Sequence, residues 1–325
     1  MDCPDVERLE AFVGDELAGD DVTGLVGHLR ACTSCRRSTS VLLRAWVGQS
    51  ASAPTLVRSG PAAFDFEGAA IDRYHLIEPI GAGAMGVVFR ARDPVLDRTV
   101  AVKVVEGQGL SSFQRECLLR EARAMARVSH PNVIPVYDAG IADDDVYVTM
   151  ALIEGANLRM WLAEHAPSLE RRLDVCLGTA RGLAAAHRAA IVHCDVKPDN
   201  VLVNCDDVAL IGDFGLARRF ARAERATTSP TPIGTREYMA PEVERGEPVT
   251  AASDQYSLAM TIHECLTGER PTRSPPPTPE LPGELGAALA RALSIDPHDR
   301  FPQLDPMIAA LVAARRAHLR GDGSS

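Results

Sequence analysis

Six short motifs in a fixed order between residues 81 and 300 constrain the fold of this chain more than any other feature. The first is the glycine-rich segment GAGAMGVV at residues 81–88. A Gly-x-Gly-x-x-Gly pattern can mark a dinucleotide site, but that interpretation needs a strand before it and a helix after it. Here a β-prone run at residues 87–89 follows, so we predict a strand–turn–strand whose backbone amides can approach phosphates. A flexible hairpin without a ligand is the alternative.

The second motif places Lys103 at the end of the apolar run VAVK, residues 100–103. A lysine buried in a strand is costly unless it is paired with an opposite charge. Glu121, on a helix predicted to follow, is the natural counter-ion, and Glu116 is the less suitable candidate.

The third and fourth motifs bring charged and amide side chains together in the sequence. Residues 193–200, HCDVKPDN, contain a carboxylate, a lysine and an amide, and DFG at residues 213–215 follows a short apolar strand. The segment APE at residues 240–242, then Asp254 and Arg300, complete the series. Through these motifs the chain resembles a protein kinase of the Ser/Thr type over residues 74–311, and it is especially similar to the bacterial eukaryotic-like kinases.

This resemblance implies a binding site for ATP. The glycine-rich loop would cover the phosphates, Val88 and Ala101 would enclose the adenine, and Met150 would border the adenine pocket. Lys103 would contact the α- and β-phosphates and would be held in place by Glu121. The implied ATP-binding residues are Gly81, Ala82, Gly83, Gly86, Val88, Ala101, Lys103, Met150, Asn200 and Asp213.

The same resemblance implies the catalytic roles, which would fall to Lys103, Glu121, Asp195 and Lys197. Asp195 would accept or orient the proton of the substrate hydroxyl. Lys197 would neutralise charge on the γ-phosphate, and a lysine here is typical of Ser/Thr rather than Tyr substrates. Asn200 and Asp213 would hold Mg²⁺ or Mn²⁺, since hard cations prefer carboxylate and amide oxygens.

Other positions are expected to support the fold. Glu242 and Arg300 should form a buried ion pair, and Asp254 should anchor the backbone of the catalytic loop. An internal apolar column is expected to contain Met125, His193 and Phe214. No role is assigned to the remaining histidines of interest, which are His75, His187, His263, His298 and His318.

One departure from the family concerns Cys194, which stands where an arginine most often precedes the catalytic aspartate. That arginine normally pairs with a phosphate on the activation segment, and a thiol cannot do so in bidentate fashion. We therefore predict that phosphorylation between residues 215 and 234 is not the main on-switch. The candidate acceptors are Thr227, Thr228, Ser229 and Thr231.

Three of the eight cysteines fall within the first 35 residues, and such clustering indicates a metal site. His28 and Cys32 are four residues apart and share a helix face, and Cys35 follows at the Cys-x-x-Cys spacing. Three thiolates and one imidazole suit tetrahedral Zn²⁺. Residues 1–47 resemble the zinc-binding domain of bacterial anti-sigma factors, and that resemblance adds Cys3 to the ligands. A metal-free helical bundle with free thiols is the alternative.

The zinc module could bind a sigma factor, another regulatory protein or the kinase domain, or it could sense oxidants. The leading interpretation is a Ser/Thr kinase with an N-terminal regulatory module. A nucleotide-binding scaffold and a sigma-factor antagonist are the alternatives. The set of charged and amide residues favours catalysis over the scaffold because it is complete: Lys103, Glu121, Asp195, Asn200 and Asp213.

The predicted fold class is α+β, a two-lobed kinase fold with a β-rich N-lobe and a helical C-lobe, preceded by a small helical zinc-binding domain. The predicted boundaries are 1–47 for the zinc-binding domain, 48–73 for a flexible linker rich in Ala, Ser, Gly and Pro, 74–314 for the kinase domain and 315–325 for a tail. Strands are predicted at 87–90, 100–105 and 146–150. Helices are predicted at 113–128, 158–164, 169–189, 251–266, 285–293 and 307–318.

Composition excludes several classes of protein. The 325 residues are 46% hydrophobic and 24% charged, as in ordinary globular proteins. A net charge of −10 argues against nucleic acid or an anionic membrane as the main partner. No apolar stretch is long enough for a membrane helix, and the acidic N-terminus lacks a secretion signal pattern. We expect a cytoplasmic chain whose partners are protein substrates with Ser or Thr.

Overall fold

The computed structural model describes residues 3–13, 25, 28, 32, 35, 70–83, 86–105, 107, 110–214, 236–269 and 284–321. These residues belong to two units. One unit comprises residues 1–123 and 136–152, and the other comprises residues 124–135 and 153–325.

The N-terminal segment begins with helix α1, Val6–Val13. Asp5 Oδ1 accepts a hydrogen bond from Arg8 N at 2.9 Å, as a helix-capping side chain does. Cys32 N donates to His28 O at 2.9 Å, so these two residues lie one helical turn apart, as their spacing predicts. Most of the predicted zinc-binding domain, and residues 48–69 of the predicted linker, lie outside the described residues.

The first unit contains an antiparallel sheet of six strands in the order β1-β2-β3-β4-β6-β5. The strands are β1 Ala70–Ile71, β2 Tyr74–Gly83, β3 Gly86–Asp93, β4 Arg98–Val105, β5 Val136–Ala142 and β6 Asp145–Met150, and helix α2, Ser112–Met125, follows β4. One face buries β-branched and aromatic side chains, among them Val100, Val102, Tyr74 and Tyr147. The two tyrosine rings meet edge to face at 5.9 Å, an arrangement that stabilises aromatic pairs.

The second unit is mostly helical. Its helices are α3 Leu158–His165, α4 Leu169–Arg188, α5 Pro241–Glu244, α6 Ala251–Thr267, α7 Glu284–Ala292 and α8 Asp305–Gly321. A small antiparallel sheet joins β7 Gly155–Asn157, β8 Val201–Asn204 and β9 Ala209–Ile211. Single 3₁₀ turns lie at Pro198–Asn200, Arg236–Tyr238 and Pro297–Asp299.

Capping residues explain where the main helices of this unit begin and end. The Asn157 side chain accepts from Met160 N at the start of α3, and the Ser168 side chain accepts from Arg171 N at the start of α4. Thr250 opens α6 with a capping box, and Gly268 closes the same helix at φ +76°. α6 is buried along almost its whole length and packs against α4 and α7.

The predicted fold class is confirmed, because a β-rich unit is followed by a helical one. Five of the described strands were not predicted: β1, β2, β5, β7 and β8. β2 carries Pro79 and two register shifts, and β5 contains Gly140, so neither shows clean alternation. β1 pairs with β2 inside the predicted linker, and α8 continues to Gly321, beyond residue 314.

Candidate active site

The glycine-rich segment contains the end of β2 and the start of β3, with Gly83 paired to Gly86, and residues 84 and 85 between them lie outside the described residues. Gly86 has φ +138°, a conformation that L side chains rarely adopt. A Cβ atom at Gly86 would lie only 1.9 Å from the carbonyl oxygen of Val104 on β4. Glycine is therefore required at this position for β3 to approach β4.

Five of the residues predicted to bind ATP share one face of the sheet: Gly81, Val88, Ala101, Lys103 and Met150. Opposite residues of an antiparallel pair project from the same face. Val88 is paired with Lys103 and with Gly81, and Ala101 is paired with Met150. Because Ala101 and Lys103 are two residues apart on β4, all of these positions lie on that one face.

The buried lysine needs an opposite charge. Lys103 is 8% exposed, whereas Glu116 on α2 is exposed and Glu121 on the same helix is half-buried. Because a buried ammonium group requires compensation, the half-buried glutamate remains the better candidate. The pairing of Lys103 with Glu121 stays a prediction.

The loop before β8 brings together two predicted catalytic residues, Asp195 and Lys197, and the predicted metal ligand Asn200. Lys197 Nζ lies 3.1 Å from Asp195 Oδ2. Asn200 Nδ2 donates to Asp195 Oδ2 at 3.0 Å and to the Asp195 carbonyl oxygen at 2.7 Å. The Asn200 amide nitrogen is thus committed to Asp195, which leaves its amide oxygen as the atom that could face a cation.

A backbone hydrogen bond connects this loop to the segment that carries Asp213. Gly212 N donates to the Asn200 carbonyl oxygen at 3.1 Å. Asp213 is exposed and has φ +53°, an uncommon conformation for a residue other than glycine. The structure therefore places Asn200 and Asp213, the two expected metal ligands, on segments that are bonded to each other.

His193 fixes the geometry of both segments. Its Nε2 atom donates to the Gly212 carbonyl oxygen at 2.9 Å, and its Nδ1 atom accepts from Asp195 N at 3.3 Å. Its ring lies 4.3 Å from the ring of Phe214. Burial lowers the pKa of His193, so the ring is neutral at pH 7 and can accept at Nδ1.

Asp254 anchors the catalytic loop from α6, as predicted. Its Oδ2 atom accepts from His193 N at 2.6 Å, and its Oδ1 atom accepts from Cys194 N at 2.9 Å. His187 Nε2 also bonds to Oδ2 at 2.9 Å, although the sequence analysis assigns His187 no role. Cys194 has φ +68°, so these bonds hold the backbone in a conformation that costs energy.

Glu242 and Arg300 form the predicted buried ion pair. Two parallel bonds of 2.7 and 2.8 Å join the carboxylate to the guanidinium group, and both residues are almost fully buried. Burial raises the pKa of Glu242, but the bonds from Arg300 outweigh that effect and the net shift is downward.

The structure contains a second ionic cluster, which was not predicted from the sequence. Arg159 on α3 bonds to Asp199 Oδ2 at 3.1 Å and to the Tyr238 hydroxyl at 3.0 Å, and it also bonds to Glu264. Burial raises the pKa of Asp199, but Arg159 outweighs that effect and the net shift is downward. No sequence pattern marks this cluster, because Arg159 and Glu264 lie 105 residues apart in the chain.

The four predicted zinc ligands lie together, with their ligand atoms within 4.8 Å of one another. Cys3 Sγ lies 3.7 Å from Cys32 Sγ, and His28 Nε2 lies 3.2 Å from Cys35 Sγ. Tetrahedral zinc with Zn–S bonds of about 2.3 Å needs sulfur atoms about 3.8 Å apart, so the donor set fits Zn²⁺. The Cys35 amide lowers the pKa of Cys32 to about 6, whereas burial raises the pKa of Cys35 to about 12.

No helix among the residues that the structure describes is long and apolar enough to cross a membrane.

Comparison with known proteins places these residues within a family. The protein kinase domain profile matches residues 74–292. The chain is 36% identical over 248 residues to the serine/threonine-protein kinase PknH of Mycobacterium tuberculosis (strain H37Rv), an alignment that covers 70% of this chain and 40% of PknH. It is 35% identical over 268 residues to PknE of the same strain, covering 76% of this chain and 47% of PknE. The chain therefore spans less than half the length of these curated relatives.

Proposed function

Because the chain belongs to the protein kinase domain family, we propose that it transfers the γ-phosphoryl group of ATP to Ser and Thr hydroxyls of proteins. The observation that carries this proposal is the loop in which Lys197 and Asn200 each bond to Asp195. A carboxylate beside an ammonium group can handle a hydroxyl proton and a phosphate charge at the same place.

In this mechanism Asp195 orients the substrate hydroxyl and receives its proton while the oxygen attacks the γ-phosphorus. The bond from the γ-phosphorus to the β–γ bridging oxygen breaks, and ADP leaves. Lys197 stabilises negative charge on the transferred group. Asn200 and Asp213 hold Mg²⁺ or Mn²⁺, and the ion, when bound, neutralises phosphate charge.

The first unit supplies the groups that bind the nucleotide. Lys103 binds the α- and β-phosphates with Glu121 as its counter-ion, and the backbone of the glycine-rich loop covers the phosphates. Val88, Ala101 and Met150 offer an apolar face for the adenine. Burial of Lys103 supports this role, because a buried ammonium group gains most from an anionic ligand.

The N-terminal cluster is proposed as a regulatory zinc module within residues 1–47, ahead of a linker, the kinase domain and a C-terminal tail. Cys3, His28, Cys32 and Cys35 bind Zn²⁺ in this proposal, and the mutual distances of their ligand atoms support it. The thiolates that such a site requires suit a reducing compartment such as the cytoplasm. The partner is a sigma factor or another regulatory protein.

The test of the kinase proposal is phosphate transfer from ATP–Mg²⁺ to the full chain and to a generic basic protein. Mass spectrometry then identifies the modified residues. We expect phosphoserine and phosphothreonine. Phosphotyrosine as the main product, or no transfer by folded and zinc-loaded protein that binds ATP, would contradict the proposal and favour a nucleotide-binding scaffold.

A further inference from the structure

A cavity of about 420 Å³ lies in the helical unit, away from the loop that carries Asp195. Its walls are the first residues of α6, the last turn of α7 and the loop between α7 and α8. Small-molecule sites typically have volumes of about 300–1,000 Å³, so this cavity has room for a small ligand.

The charged side chains that line the cavity are arginines, and two histidines lie beside them. Arg291, His298 and His187 line it, together with Arg300, and no carboxylate is among the lining residues. The charge of Arg300 is compensated by Glu242. The part of the chain that the structure describes contains no ion pair of Arg291, so its positive charge is available to an anion.

Hydrogen bonds hold the Arg291 side chain in place and leave some of its N–H donors unused. Its Nε atom donates to the Asp299 carbonyl oxygen at 3.1 Å, and its Nη2 atom donates to the Arg300 carbonyl oxygen at 3.4 Å. The guanidinium group lies over the Phe301 ring, 4.3 Å from the centroid. A guanidinium group has five N–H donors, so those that remain can bind phosphate or carboxylate oxygens in bidentate fashion.

The rest of the wall is apolar and fixed. Phe301, Pro302 and Leu304 line it, and Gln255 exchanges two hydrogen bonds with the Phe301 backbone at 2.9 and 3.0 Å. Both polar atoms of the Gln255 side chain are thus hydrogen-bonded to the loop between α7 and α8. A ligand that combines an anionic group with an apolar body matches such a wall.

The cavity is also linked to the catalytic loop by a single side chain. His187 lines the cavity and bonds to Asp254 Oδ2, the atom that accepts from His193 N. An anion in the cavity would attract the His187 ring and compete with Asp254 for it. A ligand there can therefore alter how firmly Asp254 holds the loop.

We propose that this cavity is a binding site for a small organic phosphate and that Arg291 is its anchoring residue. The site would regulate the catalytic loop through His187 and Asp254, and this second part rests on the proposed kinase function.

The test is calorimetric titration of phenyl phosphate, and of phenol as the uncharged control, into the full zinc-loaded chain. We expect phenyl phosphate to bind and phenol not to bind. Arg291→Met should weaken binding at least tenfold. The matched control Arg316→Met, at an exposed position of α8, should bind as the wild type does.

Equal binding by wild type and Arg291→Met, or equal binding of phenyl phosphate and phenol, would overturn the site. If Arg291→Met does not fold, His298→Ala on the exposed loop is tested instead, and it should also weaken binding of phenyl phosphate at least tenfold. Hydrogen exchange tests the link independently of activity. Phenyl phosphate should change the exchange rates of the His193 and Cys194 amides in wild type, and unchanged rates at saturating ligand would refute the link even if binding occurs.

Discussion

At the scale of single residues, the helical unit contains charged groups that are buried together with their partners. The Glu242–Arg300 pair has two parallel hydrogen bonds, and Glu242 also accepts from the Ser253 hydroxyl at 2.8 Å. Removing one member of such a pair leaves the other as an uncompensated buried charge, which costs far more than the loss of a surface pair.

We expect Glu242→Gln to lower the free energy of unfolding by about 3–5 kcal/mol. Glu247→Gln breaks only the exposed pair with Arg245 and should cost less than about 1 kcal/mol. Denaturant titration at neutral pH measures both values. Similar losses of unfolding free energy in the two variants would contradict the proposal that the buried Glu242–Arg300 pair stabilises the fold.

The effect of Glu242→Gln should depend on pH. The pKa of Glu242 in the folded chain is below its ordinary value of 4.5. Its stabilising charge is therefore complete above pH 4.5 and is lost as the pH falls through the folded-state pKa. The stability difference between wild type and variant should stay constant from about pH 8 to 5 and narrow only below about pH 4.5. A stability difference that already narrows near neutral pH would contradict the lowered pKa of Glu242.

Cys194 supports a different prediction. A thiol cannot hold a phosphorylated activation segment as an arginine does. The joint change of Thr227, Thr228, Ser229 and Thr231 to Ala should therefore leave turnover within about threefold of the wild type, a difference of less than 1 kcal/mol in barrier. Steady-state kinetics measures the turnover of this variant. A hundredfold loss of turnover would show that phosphorylation between residues 215 and 234 is the on-switch.

At the scale of secondary-structure elements, α6 acts as the support of the catalytic loop. It is capped at both ends and buried along its length, so Asp254 on its first turn is held rigidly. The carboxylate accepts two backbone N–H groups and one histidine N–H, all from residues 187–194. A rigid helix thus fixes the backbone next to Asp195.

Asp254→Asn should reduce phosphate transfer by about 10–100-fold, because one acceptor is replaced by an NH₂ group that faces an N–H donor. Affinity for ATP–Mg²⁺ should change little, since Asp254 is not among the proposed nucleotide-binding residues. Asp206→Asn, at an exposed position between β8 and β9, is the matched control. A loss of ATP affinity equal to the loss in rate would contradict a positioning role for Asp254.

The sequence predicted elements well where one residue pattern dominates. α6 and β4 contain apolar runs with clear ends, and their predicted bounds differ from the observed ones by one residue for α6 and by two residues for β4. β2 could not be predicted by alternation because a proline and two bulges interrupt it. The Arg159 cluster could not be predicted either, since Arg159 and Glu264 meet only through packing of α3 against α6.

At the scale of the whole molecule, a short N-terminal segment precedes the kinase domain and carries a proposed metal site. Cys3 and Cys35 are more than 30 residues apart in the sequence, yet their sulfur atoms belong to one cluster. A segment this short buries little apolar surface, so a metal ion would supply much of its stability.

We expect the full chain, purified without chelator, to contain about one zinc ion per molecule. Cys32→Ser should lose most of the zinc, because one ligand is removed. Cys205→Ser, at an exposed cysteine outside the cluster, should retain it. Elemental analysis decides the matter, and zinc-free wild type or zinc-replete Cys32→Ser would contradict the proposed site.

Kinase activity is proposed to depend on Asp195, and single-turnover phosphate transfer by wild type and Asp195→Asn measures this dependence. ATP–Mg²⁺ binding is measured in parallel on both proteins. We predict a fall in rate of a thousandfold or more, equivalent to about 4 kcal/mol or more in barrier, with ATP affinity unchanged. Equal transfer by both proteins, or no transfer by a wild type that binds ATP, would contradict the account.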